Sequence, residues 1–200
     1  MNTWHLSTPL GEGDTAKLNT GDLVYLSGTL VTGRDEVHHR VVRGKLVSPV
    51  DLAGKAIFHA GPIMRQDQSG LYRVISIGPT TSMRMEQCEA EFLRATGVRL
   101  MVGKGGMGGK TAEACRSLGA VHTVFPGGCA VLAADKVEAV EGVAWLDLGM
   151  PEAMWIMRVR NFGPLIVSID VRGNNLFEDR RRLFTRRKEE ALKELETFTG

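Results

Sequence analysis

The stretch of residues 98–125, VRLMVGKGGMGGKTAEACRSLGAVHTVF, gives the clearest indication of the fold class of this chain. It begins with a short apolar run, VRLMVG, which is typical of a strand buried in a parallel sheet. A glycine-rich loop follows, then a helical segment, and then a second apolar run, VHTVF. Strand, loop, helix and strand in this order predict a parallel βαβ unit.

The same alternation continues on both sides of this unit and predicts an α/β sandwich. No compositional linker divides the chain, so we expect a single domain over residues 1–200 with a charged C-terminal helix at about 178–198. We expect 55–63 and 72–78 to pair as a hairpin. The predicted strands are 22–31, 55–63, 72–78, 98–103, 121–125, 157–162 and 164–171. One predicted helix begins near Asp35, and the others lie at 83–96, at 111–120, within 126–137 and from Glu178 onward.

Composition excludes several classes of protein. Apolar residues make up 43% and charged residues 24%, which is typical of a globular chain. A net charge of +2 gives no footprint for nucleic acid. No apolar run is long enough for a membrane span, and the N-terminus lacks the pattern of a secretory signal.

The three cysteines, Cys88, Cys115 and Cys129, are widely spaced. An odd number without a close pair predicts neither a disulfide framework nor a self-contained zinc or iron–sulfur site. This usage favours the reducing cytoplasm.

The main outlier is glycine, at 24 of 200 residues. Many glycines fall where a predicted strand ends and a helix begins, the edge at which open α/β sheets bind ligands. The loop GKGGMGGKT looks like a phosphate loop, but Lys104 stands where the Walker pattern requires its first glycine. The spacing therefore argues against a nucleotide-binding protein and leaves a loop suited to a small anion.

Four segments in order then carry a resemblance: SGTLVTGRDEVHHR (27–40), FHAGPI with SIGPTTSMRMEQCE (58–63 and 76–89), VGKGGMGG (102–109) and FGPLIVSIDVRGNNLF (162–177). Together they resemble the β subunit, or C-terminal domain, of the iron–sulfur-dependent class I hydro-lyases. This family includes the class I fumarases and the L-tartrate dehydratases. The segments FHAGPI, GPTTSMRME, VGKGGMG and FPGGCAVLAA are most similar to the tartrate dehydratase branch.

The resemblance implies a swivelling β/β/α-type three-layer domain and a half-enzyme. A partner α subunit is expected to hold the [4Fe–4S] cluster, in a hetero-oligomer of the form (αβ)2, and no metal ligand is assigned to this chain. The implied substrate is a four-carbon 2-hydroxy dicarboxylate, with L(+)-tartrate first and malate or fumarate as the alternative. Neither nucleic acid nor membrane is expected as a partner.

By motif position, the resemblance also implies the site residues. Thr80 is the expected proton-abstracting hydroxyl, and Arg34, Thr81, Arg84 and Lys104 are the expected substrate ligands. A threonine hydroxyl is too weakly acidic to act unaided near neutrality, so we expect an activating carboxylate from the α subunit.

Other interpretations stay open for several of these residues. Arg34 could pair with Asp35, and Thr80 to Ser82 could cap the following helix. His38 and His59 are possible site residues, with local structural hydrogen bonding as the alternative. A non-catalytic anion-binding or assembly module is the competing function from another class.

Overall fold

The computed structural model describes the backbone of residues 1–199 and the side chains of residues 1–195. The strands are β1 (Thr3–Ser7), β2 (Leu23–Thr32), β3 (Ala56–Phe58), β4 (Ala60–Gln66), β5 (Tyr72–Pro79), β6 (Leu100–Gly103), β7 (Val121–Val124), β8 (Val137–Ala144) and β9 (Met154–Ile169). The helices are α1 (Glu12–Ala16), α2 (Asp35–Val42), α3 (Glu86–Thr96), α4 (Gly109–Leu118), α5 (Ala130–Ala134) and α6 (Leu176–Thr199), with 3-10 turns at Ser82–Met85 and Leu146–Leu148.

Seven strands form one mixed sheet in the order β1-β2-β3-β6-β7-β9-β8. The pairs from β1 through β7 are parallel, whereas β9 is antiparallel to β2, β7 and β8. Because β9 pairs with both β7 and β2, the strands β2, β3, β6, β7 and β9 close into a ring of pairings. The predicted βαβ unit is confirmed as β6, α4 and β7, with Leu100 opposite Val121.

The alternation of side chains along the short parallel strands builds two apolar layers. In β3, Ala56 and Phe58 join one buried cluster, and Ile57 joins the other. The first cluster contains Trp155 and other residues of β9, and the second contains residues of α2, α3 and α4. The result is a mixed α/β, three-layer arrangement with antiparallel strands on one side of the parallel strands and helices on the other.

The predicted strand at 55–63 is wrong in one respect, because it is two strands that separate at His59. The His59 N–H donates to the Val102 carbonyl at 2.8 Å, which keeps this residue with the parallel sheet. Beyond it, β4 pairs only with β5, in the antiparallel hairpin that the sequence predicts. A continuous run of residues typical of strands does not show where the chain changes its pairing partner.

The opposite error concerns residues 157–162 and 164–171, which form one continuous strand rather than two. β9 runs for 16 residues and follows β2 along its length, with register shifts between Val24 and Leu26 and between Leu26 and Gly28. These irregularities bend the strand without ending it. No sequence pattern predicted β1 and β8, which lie at the two ends of the strand order and contain one buried residue between them, Leu6.

The charged C-terminal helix, α6, begins at Leu176, two residues earlier than predicted. Asn175 sets this start, since its side-chain oxygen accepts the N–H groups of Phe177 and Glu178. Within residues 1–199, no helix combines the length and the apolar character needed to cross a membrane.

Candidate active site

Three parallel strands bring the predicted site residues to one edge of the sheet. Arg34 follows β2, His59 follows β3 and Lys104 follows β6. Thr80 lies beside them because its N–H donates to the His59 carbonyl at 2.7 Å, and Lys104 N–H donates to the Thr80 carbonyl at 3.0 Å. The carboxyl ends of these strands therefore collect residues that are far apart in the sequence.

A short parallel bridge fixes Thr81 against Lys104. Ser82 N–H donates to the Lys104 carbonyl at 3.0 Å, so the backbone is held on both sides of the bridge. Thr80 is partly buried, whereas Thr81 and Lys104 are exposed. Among side chains 1–195, the Thr80 and Thr81 hydroxyls and the Lys104 amine have no hydrogen-bond or ion-pair partner, so they are available to a ligand.

The two predicted arginines form a second group on the same edge. Arg84 makes a bidentate pair with Asp35, in which Nε and one terminal nitrogen each lie 3.0 Å from a carboxylate oxygen. Arg34 Nε lies 2.8 Å from Glu152 Oε1 and 3.5 Å from Asp35 Oδ2. The predicted pairing of Arg34 with Asp35 is thus present, but the shorter contact of Arg34 is with Glu152. Both terminal nitrogens of Arg34 are outside these ion pairs.

The site carries three cations, Arg34, Arg84 and Lys104, against the two carboxylates of Asp35 and Glu152. The excess of positive charge suits a small anion, and planar guanidinium groups suit carboxylates in particular. Glu152 is far from the quoted motifs in sequence, so the sequence analysis missed it.

Glycine is required at two positions because other groups approach the backbone closely. A Cβ at Gly61 would lie 2.9 Å from the terminal nitrogen of Arg34, and a Cβ at Gly103 would lie 1.8 Å from Ser82 Oγ. The glycines of FHAGPI and VGKGG therefore make room for the side chains that build the site.

A chain of buried polar side chains lies directly beneath the site. The Arg34 carbonyl accepts from His38 Nδ1 at 2.9 Å, and His38 Nε2 faces Glu89 Oε2 at 3.3 Å. His59 Nε2 faces the same Glu89 oxygen at 3.4 Å, and His59 Nδ1 contacts Ser82 Oγ at 3.1 Å.

From Ser82 the chain continues to β7 and β9. His122 Nε2 lies 3.1 Å from Ser82 Oγ, and His122 Nδ1 lies 2.6 Å from Ser168 Oγ. Ser82, His122 and Ser168 have no exposed surface. Polar groups removed from water in this way need hydrogen-bond partners, and the neighbouring side chains of this buried series supply most of them.

Burial and neighbouring charges shift the pKa values in this chain in opposite directions. Burial raises the pKa of the Glu89 carboxyl. The facing imidazoles of His38 and His59 lower it by more than burial raises it, so the net shift is downward. Burial lowers the pKa of His122 to about 3, so this ring is neutral at pH 7.

The structure also corrects one sequence-based expectation. The hydroxyls of residues 80–82 do not cap the following helix, since Thr81 makes no side-chain cap bond and Ser82 Oγ contacts His59 and His122 instead. His38 and His59 are 1% and 0% exposed, so their rings are buried in this chain. Their part in the site stays a prediction.

The glycine loop after β6 does not offer its helix N-terminus to an external anion. The buried Glu86 carboxylate already occupies that position: Gly108 N–H donates to it at 2.8 Å and the Thr111 hydroxyl at 2.7 Å. Lys110 in turn donates to the Gln87 side chain at 2.9 Å. The N-terminus of α4 is therefore occupied by a side chain of this protein, and the prediction of a small-anion site in this loop depends on Lys104.

The three cysteines do not fit an iron–sulfur cluster. Cys88 and Cys115 are buried in α3 and α4, and Cys129 is partly buried before α5. Burial raises the pKa of the Cys115 thiol well above its ordinary value, whereas cluster ligands are thiolates. Among side chains 1–195, no cysteine belongs to a group of three potential metal ligands.

Comparisons with known proteins agree with these features. The family model described as Fumarase C-terminus matches residues 2–180. L(+)-tartrate dehydratase subunit beta of Escherichia coli strain K12 is 53% identical over 95% of this chain and 94% of its own length.

Two more distant relatives extend the comparison. A putative L(+)-tartrate dehydratase subunit beta of Methanocaldococcus jannaschii is 44% identical over 85% of this chain and 89% of its own length. A putative class I fumarate hydratase of Geobacillus stearothermophilus is 42% identical over 87% of this chain but only 33% of its own length. The similarity spans the candidate site and nearly the whole sheet, and on this basis the chain belongs to the fumarase C-terminus family of hydro-lyase subunits and domains.

Proposed function

We propose that this chain is the β subunit of an iron–sulfur-dependent hydro-lyase that dehydrates L(+)-tartrate to oxaloacetate and water. The observation that carries the proposal is the meeting of three cations and two unpartnered threonine hydroxyls at one sheet edge. The 53% identity to the Escherichia coli tartrate dehydratase subunit supports the choice of substrate.

In this proposal, the cations bind the two carboxylates of the substrate. Arg34 offers its terminal nitrogens, because Glu152 and Asp35 hold the guanidinium through Nε. Lys104 reaches the same edge with its stem beside Gly127, where a Cβ would lie 3.3 Å from Lys104 Cδ. Arg84 is anchored by Asp35 and orients the second carboxylate.

Thr80 is the proposed proton acceptor for the carbon-bound hydrogen next to a carboxylate. Its backbone is fixed on both sides, by the bond to His59 and by the bond from Lys104. A hydroxyl needs an activating base for this role. Since no carboxylate or imidazole among side chains 1–195 hydrogen-bonds to the Thr80 hydroxyl, we assign activation to a carboxylate of the α subunit.

The cluster belongs to that α subunit in the same proposal, because the cysteines of this chain do not fit it. We further propose an (αβ)2 assembly, a single domain over residues 1–200 of the swivelling β/β/α type, and a cytoplasmic location. The three free cysteines support that compartment.

The test is anaerobic co-expression of this chain with a cluster-bearing α subunit, followed by kinetics with L(+)-tartrate and malate. We expect a brown complex that is active only when both chains are present and that turns over L(+)-tartrate faster than malate. Thr80→Ala should abolish turnover while the complex still assembles, and Thr3→Ala, an exposed change in β1, is the matched control. Near-normal turnover by Thr80→Ala would end the assignment.

A second candidate is the β subunit of a class I fumarase. The 42% identity to the Geobacillus stearothermophilus protein favours it, and the same cations would bind malate or fumarate. Faster turnover of malate than of tartrate would select this candidate. A complex that forms but turns over neither substrate would support the non-catalytic assembly module instead.

A further inference from the structure

We propose that His38, His59 and Glu89 form a buried binding site for a divalent transition-metal ion of the zinc class, beneath the candidate active site. Two imidazole nitrogens and a carboxylate converge there from α2, from the residue after β3 and from α3. The family resemblance assigns no metal ligand to this chain, so the site is additional to the proposed function and does not depend on it.

The separations between the facing atoms leave room for a metal ion. Charge-assisted hydrogen bonds between an imidazolium and a carboxylate are about 2.7–2.9 Å long. The two nitrogens lie 3.3 Å and 3.4 Å from Glu89 Oε2. Zinc bonds of about 2.0–2.2 Å in tetrahedral geometry separate neighbouring ligand atoms by about 3.3–3.6 Å, which matches the observed spacing.

The hydrogen-bond geometry points the same way. His38 Nε2, His59 Nε2 and both Glu89 oxygens are buried, and their mutual contacts fall short of good hydrogen-bond geometry, as do those of Arg34 Nε and Asp35 Oδ2 in the ion pairs above. Buried polar atoms without good partners carry a desolvation cost. A cation between them would be bound by the two Nε2 atoms and by Glu89 Oε2.

The outer hydrogen bonds of the histidines fix which ring nitrogen faces Glu89. The Arg34 carbonyl can only accept, so His38 Nδ1 donates to it and Nε2 is the ring atom that faces Glu89. This bond from the second ring nitrogen to a carbonyl is the usual support of a metal-bound histidine.

The hydrogen bonds of Ser168 and His122 fix which nitrogen of His59 faces Glu89. Ser168 donates its hydroxyl hydrogen to the His122 carbonyl, so His122 Nδ1 donates to Ser168 and its Nε2 accepts from Ser82. His59 Nδ1 then donates to Ser82 Oγ, and its Nε2 is the ring atom that faces Glu89. A metal ion that displaces the protons from the two Nε2 atoms would be held by two imidazoles and a carboxylate.

The ligand set suits zinc better than harder ions. Imidazole is a poor ligand for magnesium and calcium, whereas two histidines and one glutamate are a common zinc set. The residues are 0–1% exposed, so the ion would be enclosed by protein and would not touch the substrate. Its role would be structural: it would join α2, α3 and the end of β3, the elements beside Arg34 and Thr80.

The experiment uses the full chain produced without an α subunit, so that cluster iron does not contribute. After chelator treatment and reloading with Zn²⁺ alone, elemental analysis should find one zinc ion per chain, and the melting temperature should rise on loading. X-ray absorption at the zinc edge should show scattering from two imidazoles. Reloading with Co²⁺ should give visible absorption bands of a low-symmetry site.

Variants then locate the ion. Glu89→Gln and His38→Gln should each weaken zinc binding by more than about 100-fold, since even outer-shell changes cost about 10–100-fold. Glu86→Gln is the matched control, as a buried carboxylate at the start of the same helix, and His39→Gln controls for surface histidines. Both controls should bind zinc as the wild type does.

Two results would overturn the proposal, and the first needs no variant to fold. One is a wild-type chain that stays metal-free after reloading, with both Nε2 atoms protonated by nitrogen NMR. The other is zinc binding that Glu89→Gln leaves unchanged. Neither result bears on tartrate turnover, so the outcomes here and for the proposed function are distinguishable.

Discussion

Replacement of Gly103 by alanine tests whether the close packing beneath the site is required. A Cβ at this position would lie 1.8 Å from Ser82 Oγ, 3.1 Å from His59 Nδ1 and 3.2 Å from Ser82 Cβ. The contact with Oγ must open by about 1.2 Å to reach the 3.0 Å below which real Cβ contacts essentially never occur.

Two routes can open that contact, and both have a cost. Ser82 can rotate, which breaks its contacts with His59 and His122, both 3.1 Å long. Alternatively the backbone can shift, which moves Lys104 and Thr80. Either route should destabilise the chain by about 1–3 kcal/mol, and a displacement near 1 Å at Thr80 should lower kcat/KM by up to about 100-fold.

The assay combines denaturant unfolding of the chain with tartrate kinetics of the reconstituted complex. Gly109→Ala is the matched control, because it lies in the same glycine segment and its added Cβ would meet nothing within 4 Å. In a Ser82→Ala background the cost of Gly103→Ala should fall by about 0.5–3 kcal/mol, because the main obstacle is gone. If Gly103→Ala unfolded and turned over like Gly109→Ala, the reasoning would be refuted.

Three further predictions concern stability. Burial alone would raise the pKa of Asp22, but hydrogen bonds from backbone N–H groups and the Trp4 indole lower it. Asp22→Asn should therefore lower the free energy of unfolding by about 2 kcal/mol at pH 7. In urea unfolding measured across pH, this difference should shrink as the pH falls below about 4, the ordinary pKa of aspartate. Phe92→Ala should cost about 3–5 kcal/mol, because Phe92 is fully buried between sheet and helices, and an unchanged melting temperature would contradict this. Thr111→Val should cost about 1–3 kcal/mol by removing the hydroxyl that bonds buried Glu86, as calorimetry would measure, whereas equal stability would mean that the Glu86 contact adds nothing.

Local sequence patterns predicted the elements that bury an uninterrupted apolar run. β6, α4 and β7 follow directly from residues 98–125, because strand, glycine loop and helix each leave a local signature. Edge strands such as β8 leave a weaker signature, since none of the β8 residues is fully buried. The partner change at His59 leaves none, because pairing depends on residues distant in the chain.

The candidate site divides in the same way. Residue types and their order predict that Arg34, Thr80, Thr81, Arg84 and Lys104 stand near strand ends in motifs that resemble one hydro-lyase family. The spacing of the glycine loop argues against a phosphate loop. Each of these conclusions depends only on residue type and order.

Long-range contacts set which groups are free to bind a ligand and which are already occupied. They gave Arg34 its partner Glu152, filled the N-terminus of α4 with Glu86, and placed His38 and His59 around Glu89 beneath the site. The physical reason is that the strengths of charges and hydrogen bonds depend on distance and burial. Neighbours more than a hundred residues apart in the chain, such as Arg34 and Glu152, set both.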